Sequence, residues 1–162
     1  MRSDRGFTLL ELLVALALAG ILASIAIPTL SESTNRNAVW TASEQIGTQI
    51  RQARLKAISR NTPYRIVFDC PADNQYRVLV VDDTIDDEDR CDNTLPGDTG
   101  VNVVPALVSF TDDLPAVQVN GRGMLSLIGG GDLPLTITVQ YRDTHSRALA
   151  VSFTGQITFE SF

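Results

Sequence analysis

From Phe7 to Ile27 the chain runs for 21 residues with a single charge, Glu11, and the run is closed by Pro28. As an α-helix this segment would reach about 31 Å at 1.5 Å per residue, which matches the hydrocarbon core of a bilayer. The chain is therefore expected to carry a membrane span near its start and to fold beyond it. Glu11 is the misfit. A carboxylate in hydrocarbon costs about 2.5 to 3.5 kcal/mol even on lenient insertion scales, so it is expected either to pair with something or to reach the interface. One turn from the helix start, it also favours the positive end of the helix dipole.

Three readings of this segment compete. A secretory signal peptide would use Arg2 and Arg5 as its charged region and Ala17-Leu18-Ala19 as its cleavage site. It would also hold Glu11 in its apolar core and leave Ile21 to Ile27 as an exposed apolar tail. A plain single-span anchor explains the length but gives no reason for Glu11 or for the Gly6-Phe7 junction. The third reading starts from the motif Gly6-Phe7-Thr8-Leu9-Leu10-Glu11, with basic residues just before it and an unbroken apolar run after it. This motif resembles the type IV prepilin signal.

The resemblance implies that a prepilin peptidase cuts on the cytoplasmic side between Gly6 and Phe7, that the new terminus at Phe7 is N-methylated, and that residues 1–6 are a leader. It also implies assembly. With apolar helices staggered side by side, the Glu11 carboxylate of one subunit meets the protonated Phe7 amine of its neighbour. Pairing removes most of the burial penalty, and losing either partner strands the other. Glu11 is then an assembly residue, with no catalytic residue called for. Pro28 fits the same pattern and is expected to kink the helix, because its ring and missing amide disturb the hydrogen-bond ladder.

Arg2 and Arg5 precede the span and Glu32 is the first charge after it. The positive-inside bias then puts the amino terminus in the cytoplasm and the rest in the periplasm, held by the inner membrane. An oxidising compartment agrees with the two cysteines, Cys70 and Cys91, read as one disulfide. Closing a loop of about 20 residues contributes roughly 3 kcal/mol in the chain-entropy model. Two isolated cysteines and a lone histidine, His145, do not furnish a closed zinc site.

The length of 162 residues suits one globular domain beyond the span. Setting aside Met1 to Gly6, which hold two of the 13 basic and one of the 19 acidic side chains, moves the net charge from −6 to −7. That balance does not describe a nucleic-acid binder. After Pro28, Val39, Ala42, Ile46, Ile50, Ala53 and Ala57 recur at helical spacing and predict an amphipathic helix over 29–60 with a narrow apolar seam. Joined to the span at 7–28 it makes about 53 residues and about 80 Å of helix. Asn61-Thr62-Pro63 ends it, since a residue before proline is pushed out of the helical region.

From Tyr64 the period switches to two, and 61–162 is predicted to be a β-rich head. Tyr64, Ile66 and Phe68 share one face, followed by Tyr76, Val78 and Val80, and Leu135 to Tyr141 alternates without an error. Further strands are expected at Val101 to Phe110, Val117 to Val119, Met124 to Ile128, Arg147 to Phe153 and Gln156 to Phe159. Turns are expected at Asn120-Gly121, Gly129 to Gly131, Asp143 to Ser146 and Thr154-Gly155. The fold class is α+β, a long helix packed on antiparallel sheet, since each needs the other's apolar face. Helix, cysteines and glycine-punctuated β-tail together resemble the GspH/FimT group of minor pseudopilins and minor pilins.

Other constellations carry less. Seven acids crowd the eleven positions from Asp82 to Asp92. Their spacing does not match a calcium loop, so a solvated loop is expected there and no metal. Arg51, Arg54, Lys56, Arg60 and Arg65 form a basic stretch that is read either as a solvated helix end or as a surface for a neighbour's acidic loop. Some FimT-like minor pilins bind DNA through arginines after a carboxy-terminal glycine, but the matching place here reads Gly155-Gln156-Ile157-Thr158. His145 has no nucleophile elbow or carboxylate pair around it, so neither enzyme activity nor a cofactor is expected.

The expected function is that of a minor pilin or pseudopilin that primes or enters a type II secretion pseudopilus or a type IV pilus. Its expected partners are other pilins, the prepilin peptidase/methyltransferase, the inner-membrane assembly platform and the lipid bilayer. DNA uptake is the alternative, with nucleic acid not expected as a partner.

Overall fold

A computed structural model describes residues 8–82, 87–142 and 144–161. Helix α1 (Leu9–Arg60) is 52 residues long with Pro28 inside it. The chain divides into two compact units between Asn35 and Arg36.

In the first unit the described residues belong to the amino-terminal part of α1 and the Thr8 that precedes it. Every large apolar side chain there is exposed, from Val14 at 52 % to Leu9 at 77 %. Thr8 caps the helix, its Oγ1 accepting the Glu11 N–H at 3.3 Å. With Glu11 three positions beyond the cap, Thr8-Leu9-Leu10-Glu11 has the spacing of a capping box. The hydroxyls of Ser24, Thr29 and Thr34 donate to the carbonyls of Ile21, Ile25 and Leu30 at 2.7 to 3.0 Å. They are satisfied within the helix itself.

In the second unit α1 ends on two backbone bonds. The Thr62 N–H reaches the Ala57 carbonyl at 3.2 Å and the Asn61 N–H reaches that of Ile58 at 3.4 Å, with Asn61 left-handed at φ 48°. This is the Schellman pattern with asparagine in place of the usual glycine. The strands form two antiparallel sheets. One orders β3 (Asn102–Val103), β2 (Gln75–Val80), β1 (Tyr64–Phe68), β5 (Val117–Val119) and β6 (Leu125–Leu127). The other orders β4 (Val108–Phe110), β7 (Leu135–Tyr141), β8 (His145–Val151) and β9 (Ile157–Ser161).

All six seam residues of α1 are buried, none more than 3 % exposed. They share a core with Tyr64, Ile66, Tyr76, Val78, Val117 and Val119 of the first sheet and Ile137, Val139, Leu149 and Val151 of the second. Gly47 lets the second sheet close on the helix, since a Cβ there would meet Phe159 Cζ at 3.2 Å.

Three local expectations are corrected. The single strand expected at Val101 to Phe110 is two strands in different sheets, β3 pairing with β2 and β4 with β7. Pro105 starts a turn in which the Val108 N–H bonds back to the Pro105 carbonyl at 3.1 Å and Leu107 takes φ 70°. The turn expected at Asp143 to Ser146 is shorter, because β8 already pairs at His145 opposite Tyr141. The acidic stretch read as a solvated loop contains a short helix, α2 (Asp87–Asp92). Its Arg90 is only 2 % exposed.

That helix explains why β2 is buried on both faces, with Arg77 and Leu79 as well as Tyr76 and Val78 hidden. The Cys70–Cys91 disulfide ties α2 to the residue two beyond β1. Arg77 Nη1 donates to the Arg90 and Cys91 carbonyls at 2.9 and 2.5 Å. Replacing both cysteines with serine should lower stability by about 3 kcal/mol, as the cross-link spans 21 positions. Denaturant titration of the full chain in detergent measures this. An unchanged midpoint would mean that the other contacts hold the segment alone.

Candidate functional site

The chemistry-bearing residues fall in two places, one in each unit. In the first, Glu11 sits in the opening turn of α1, exposed among Leu9, Leu10, Leu12 and Leu13. By length and composition this part of α1 is apolar enough to cross a membrane. Gly6 and Phe7 lie outside the described residues.

In the second unit sequence reasoning passed over a cluster around Trp40 and Arg147. Helix α1 presents Trp40 one residue after the buried Val39, and β8 supplies Arg147. The Arg147 guanidinium carbon lies 4.5 Å from the Trp40 ring centroid and 4.4 Å from that of Phe159. Its Nη1 donates to Ser43 Oγ at 2.9 Å and approaches Glu44 Oε1 at 3.4 Å. The Arg147 side chain is 11 % exposed, whereas Trp40 remains 57 % exposed. On one side of Trp40 is a cleft of about 470 Å³ lined by Arg36, Thr144, His145, Ser146 and Arg147. On the other is a shallow hollow of about 440 Å³ lined by Thr41, Glu44, Gln45, Thr48 and Gln49. The signal in the sequence was a tryptophan just off an otherwise small apolar seam.

The basic stretch is largely committed within the head. Arg54 Nε donates to the Gly123 carbonyl at 2.9 Å, Arg60 Nη1 to the Tyr64 hydroxyl at 2.9 Å, and Arg65 to Gln118 Oε1 at 2.8 Å. Arg54 runs between two turns that need glycine. Gly123 and Gly155 have φ 79° and 77°, and a Cβ on Gly155 would stand 2.7 Å from Arg54 Cδ. The turn before Gln156-Ile157-Thr158 is thus packed against Arg54.

The acidic stretch resolves into one structural pair and a remainder. Arg90 Nη2 meets both carboxylate oxygens of Asp98 at 2.7 and 2.6 Å, and Nη1 donates to the Val80 carbonyl at 2.9 Å. Asp98 also accepts the Val80 and Leu95 N–H groups, both at 2.7 Å. Burial pushes its carboxyl up, but the two backbone N–H groups and the Arg90 guanidinium outweigh that and hold it below the usual carboxylate range. Among the described residues no three His, Cys, Asp or Glu side chains converge as a metal site. Asp83 and Asp86 lie outside the described residues.

Two family profiles match the chain. The prokaryotic N-terminal methylation motif matches residues 1–27, and the profile described as type II transport protein GspH matches residues 42–155. Pilin-like protein PilA1 of Thermus thermophilus is 49 % identical over 57 residues, 35 % of each chain. A fimbrial protein of Pseudomonas aeruginosa is 33 % identical over 85 residues, covering 52 % of this chain and 54 % of its own. Competence protein ComGD of Bacillus subtilis is 35 % identical over 85 residues, covering 52 % of this chain and 57 % of its own. The chain thus spans between about a third and somewhat over half of these relatives. In fold it is similar to the type IV minor pilin FimU of Pseudomonas aeruginosa, with TM-score 0.54 at 17 % identity, over 78 % of this chain and 91 % of that one.

Proposed function

The chain belongs to the family described as type II transport protein GspH, and from that membership we propose that it is a minor pilin or pseudopilin cleaved between Gly6 and Phe7 and N-methylated at Phe7. It then primes or enters a membrane-anchored filament, the pseudopilus of a type II secretion machine or a type IV pilus. The observation that carries this reading is a span-length apolar run whose only charge is Glu11, lying within the residues that match the N-terminal methylation motif. Such a carboxylate is stable in hydrocarbon once a neighbour's Phe7 ammonium meets it.

In this reading the prepilin peptidase/methyltransferase, an inner-membrane assembly platform, other pilins and the bilayer are partners, and Pro28 is where the helix bends. The amino terminus faces the cytoplasm before cleavage and the head stands in the periplasm. DNA uptake is less well supported, since Arg54, Arg60 and Arg65 are used within the head and phosphate binding needs several cations on one surface. Mass spectrometry of the mature protein tests the proposal. A methylated Phe7 terminus is expected; an intact Met1 or a start at Gly20 would overturn it.

A further inference from the structure

Three stretches of a chain with 19 acidic residues contain none of them, namely 45–68, 114–131 and 144–159. The fold brings parts of all three together at Arg54. Its Nε donates to the Gly123 carbonyl at 2.9 Å, and a Cβ on Gly155 would stand 2.7 Å from its Cδ. The two turns are also joined directly, since the Leu125 N–H donates to the Phe153 carbonyl at 2.8 Å.

Apolar side chains collect at the same corner. On α1, Arg51, Arg54, Leu55 and Ile58 follow the spacing i, i+3, i+4, i+7 and form a stripe of their own beside the buried seam. A Cβ on Gly123 would stand 2.6 Å from Ile58 Cδ1, so the turn that carries Arg122 and Met124 lies against this stripe. Leu55, Ile58, Met124 and Phe153 remain 44 to 64 % exposed. Arg51 and Arg122 are exposed as well. The helix dipole does not account for Arg51, because it stands nine positions before the helix end at Arg60 and the dipole acts within the last turn. Exposed apolar groups rimmed by polar residues mark an interaction surface, and methionine, phenylalanine and arginine are enriched in such surfaces.

We propose that this corner of the head docks an acidic segment of a partner protein, one that carries carboxylates together with apolar side chains. The Arg51 and Arg122 guanidinium groups take the carboxylates, and Leu55, Ile58, Met124 and Phe153 take the apolar side chains. This goes beyond filament entry, since it concerns the head alone. Charge complementarity selects the occupant. A bilayer fits poorly, because cations and apolar side chains share one stripe and Leu55 and Ile58 do not reach hydrocarbon without Arg51 and Arg54. Nucleic acid would use the cations but leave Leu55, Ile58 and Met124 without a partner, as base stacking needs aromatic faces and Phe153 is the one aromatic residue among these.

The test presents a random library of short peptides, displayed on phage, to the full chain in detergent. The selected peptides are expected to combine Asp or Glu with large apolar residues. One of them, synthesised with a fluorescent label, is then titrated by anisotropy. Arg51→Glu together with Arg122→Glu should weaken its binding about thirtyfold or more, since like charges then face each other. Met124→Ser should weaken it about tenfold. All three positions are exposed, so the melting curve of the head should not move. Lys56→Glu makes the same charge change as Arg51→Glu but about 140° around the helix, and should cost far less. Equal losses from these two would show that net charge alone attracts the peptide and would overturn the proposal. So would a selection that yields no binder, peptides without acidic residues, or binding indifferent to the Arg51→Glu/Arg122→Glu and Met124→Ser variants. Phosphatidylglycerol vesicles or a single-stranded oligonucleotide that bind the wild type and are released by Arg51→Glu/Arg122→Glu would assign the corner to lipid or nucleic acid instead.

Discussion

Replacing Glu11 with alanine should cut entry into filaments about a hundredfold or more, while membrane insertion, cleavage after Gly6 and the stability of the head stay unchanged. The magnitude follows from what is left behind. In the assembled state the neighbour's Phe7 ammonium would lie unpaired among apolar helices, and stranding one member of a buried pair costs about 3 to 5 kcal/mol. The head is spared because, among the described residues, its core draws on Ala38 and positions after it. The helix start is spared too, since Thr8 caps the Glu11 main-chain N–H, which alanine keeps.

Quantitative incorporation against an unassembled membrane pool, with a head melting curve beside it, measures the effect. A carboxylate that merely reached up to the interface would give a different result. Its removal would leave assembly as it was, and would change insertion by far less than the cost of about 2.5 to 3.5 kcal/mol for a charge held in hydrocarbon.

The parts of the fold that could be read from the chain are those whose determinants are local and periodic. The α1 seam obeys a helical spacing, and each residue assigned to it is buried. Leu135 to Tyr141 alternates because only one face of β7 meets the core, and it is a strand over that range. Pattern reading failed where a distant segment changed what a position faces. Arg77 and Leu79 belong to the outward face of β2 by alternation, but the disulfide-tied excursion covers that face.

Pro105 split an apparently continuous strand because a turn there shifts the chain to the other sheet. The Trp40 cluster was invisible for a similar reason. Arg147 reaches Ser43 across 104 positions, and nothing local in either segment announces the other. At the amino terminus the motif was plain in the sequence, but the partner proposed for Glu11 belongs to another chain, and a single subunit does not display such a contact.

The second large effect concerns Asp98, whose carboxylate ends in a side chain with no solvent exposure (0 %) and holds together Arg90, Val80 and Leu95. Asp98→Ala should destabilise the head by about 3 to 5 kcal/mol, since it leaves the Arg90 charge and two N–H groups buried without their acceptor. Removing Arg90 as well, as Arg90→Met with Asp98→Ala, should recover part of that loss because no lone charge then remains.

The pH dependence has a defined sign. The folded carboxyl lies below its ordinary value of about 3.9, so its contribution is complete above that pH and disappears as pH falls through the folded pKa. The stability gap between wild type and Asp98→Asn should therefore narrow below about pH 4 and stay constant from there to neutrality. A gap that widened in acid would show that the pairing is misassigned. Coupling to the disulfide gives a stricter check, because Cys91 and Arg90 are neighbours on α2. Once the cross-link is gone the segment lifts more easily and Arg90 finds water, so the combined loss should fall short of the sum of the two separate losses.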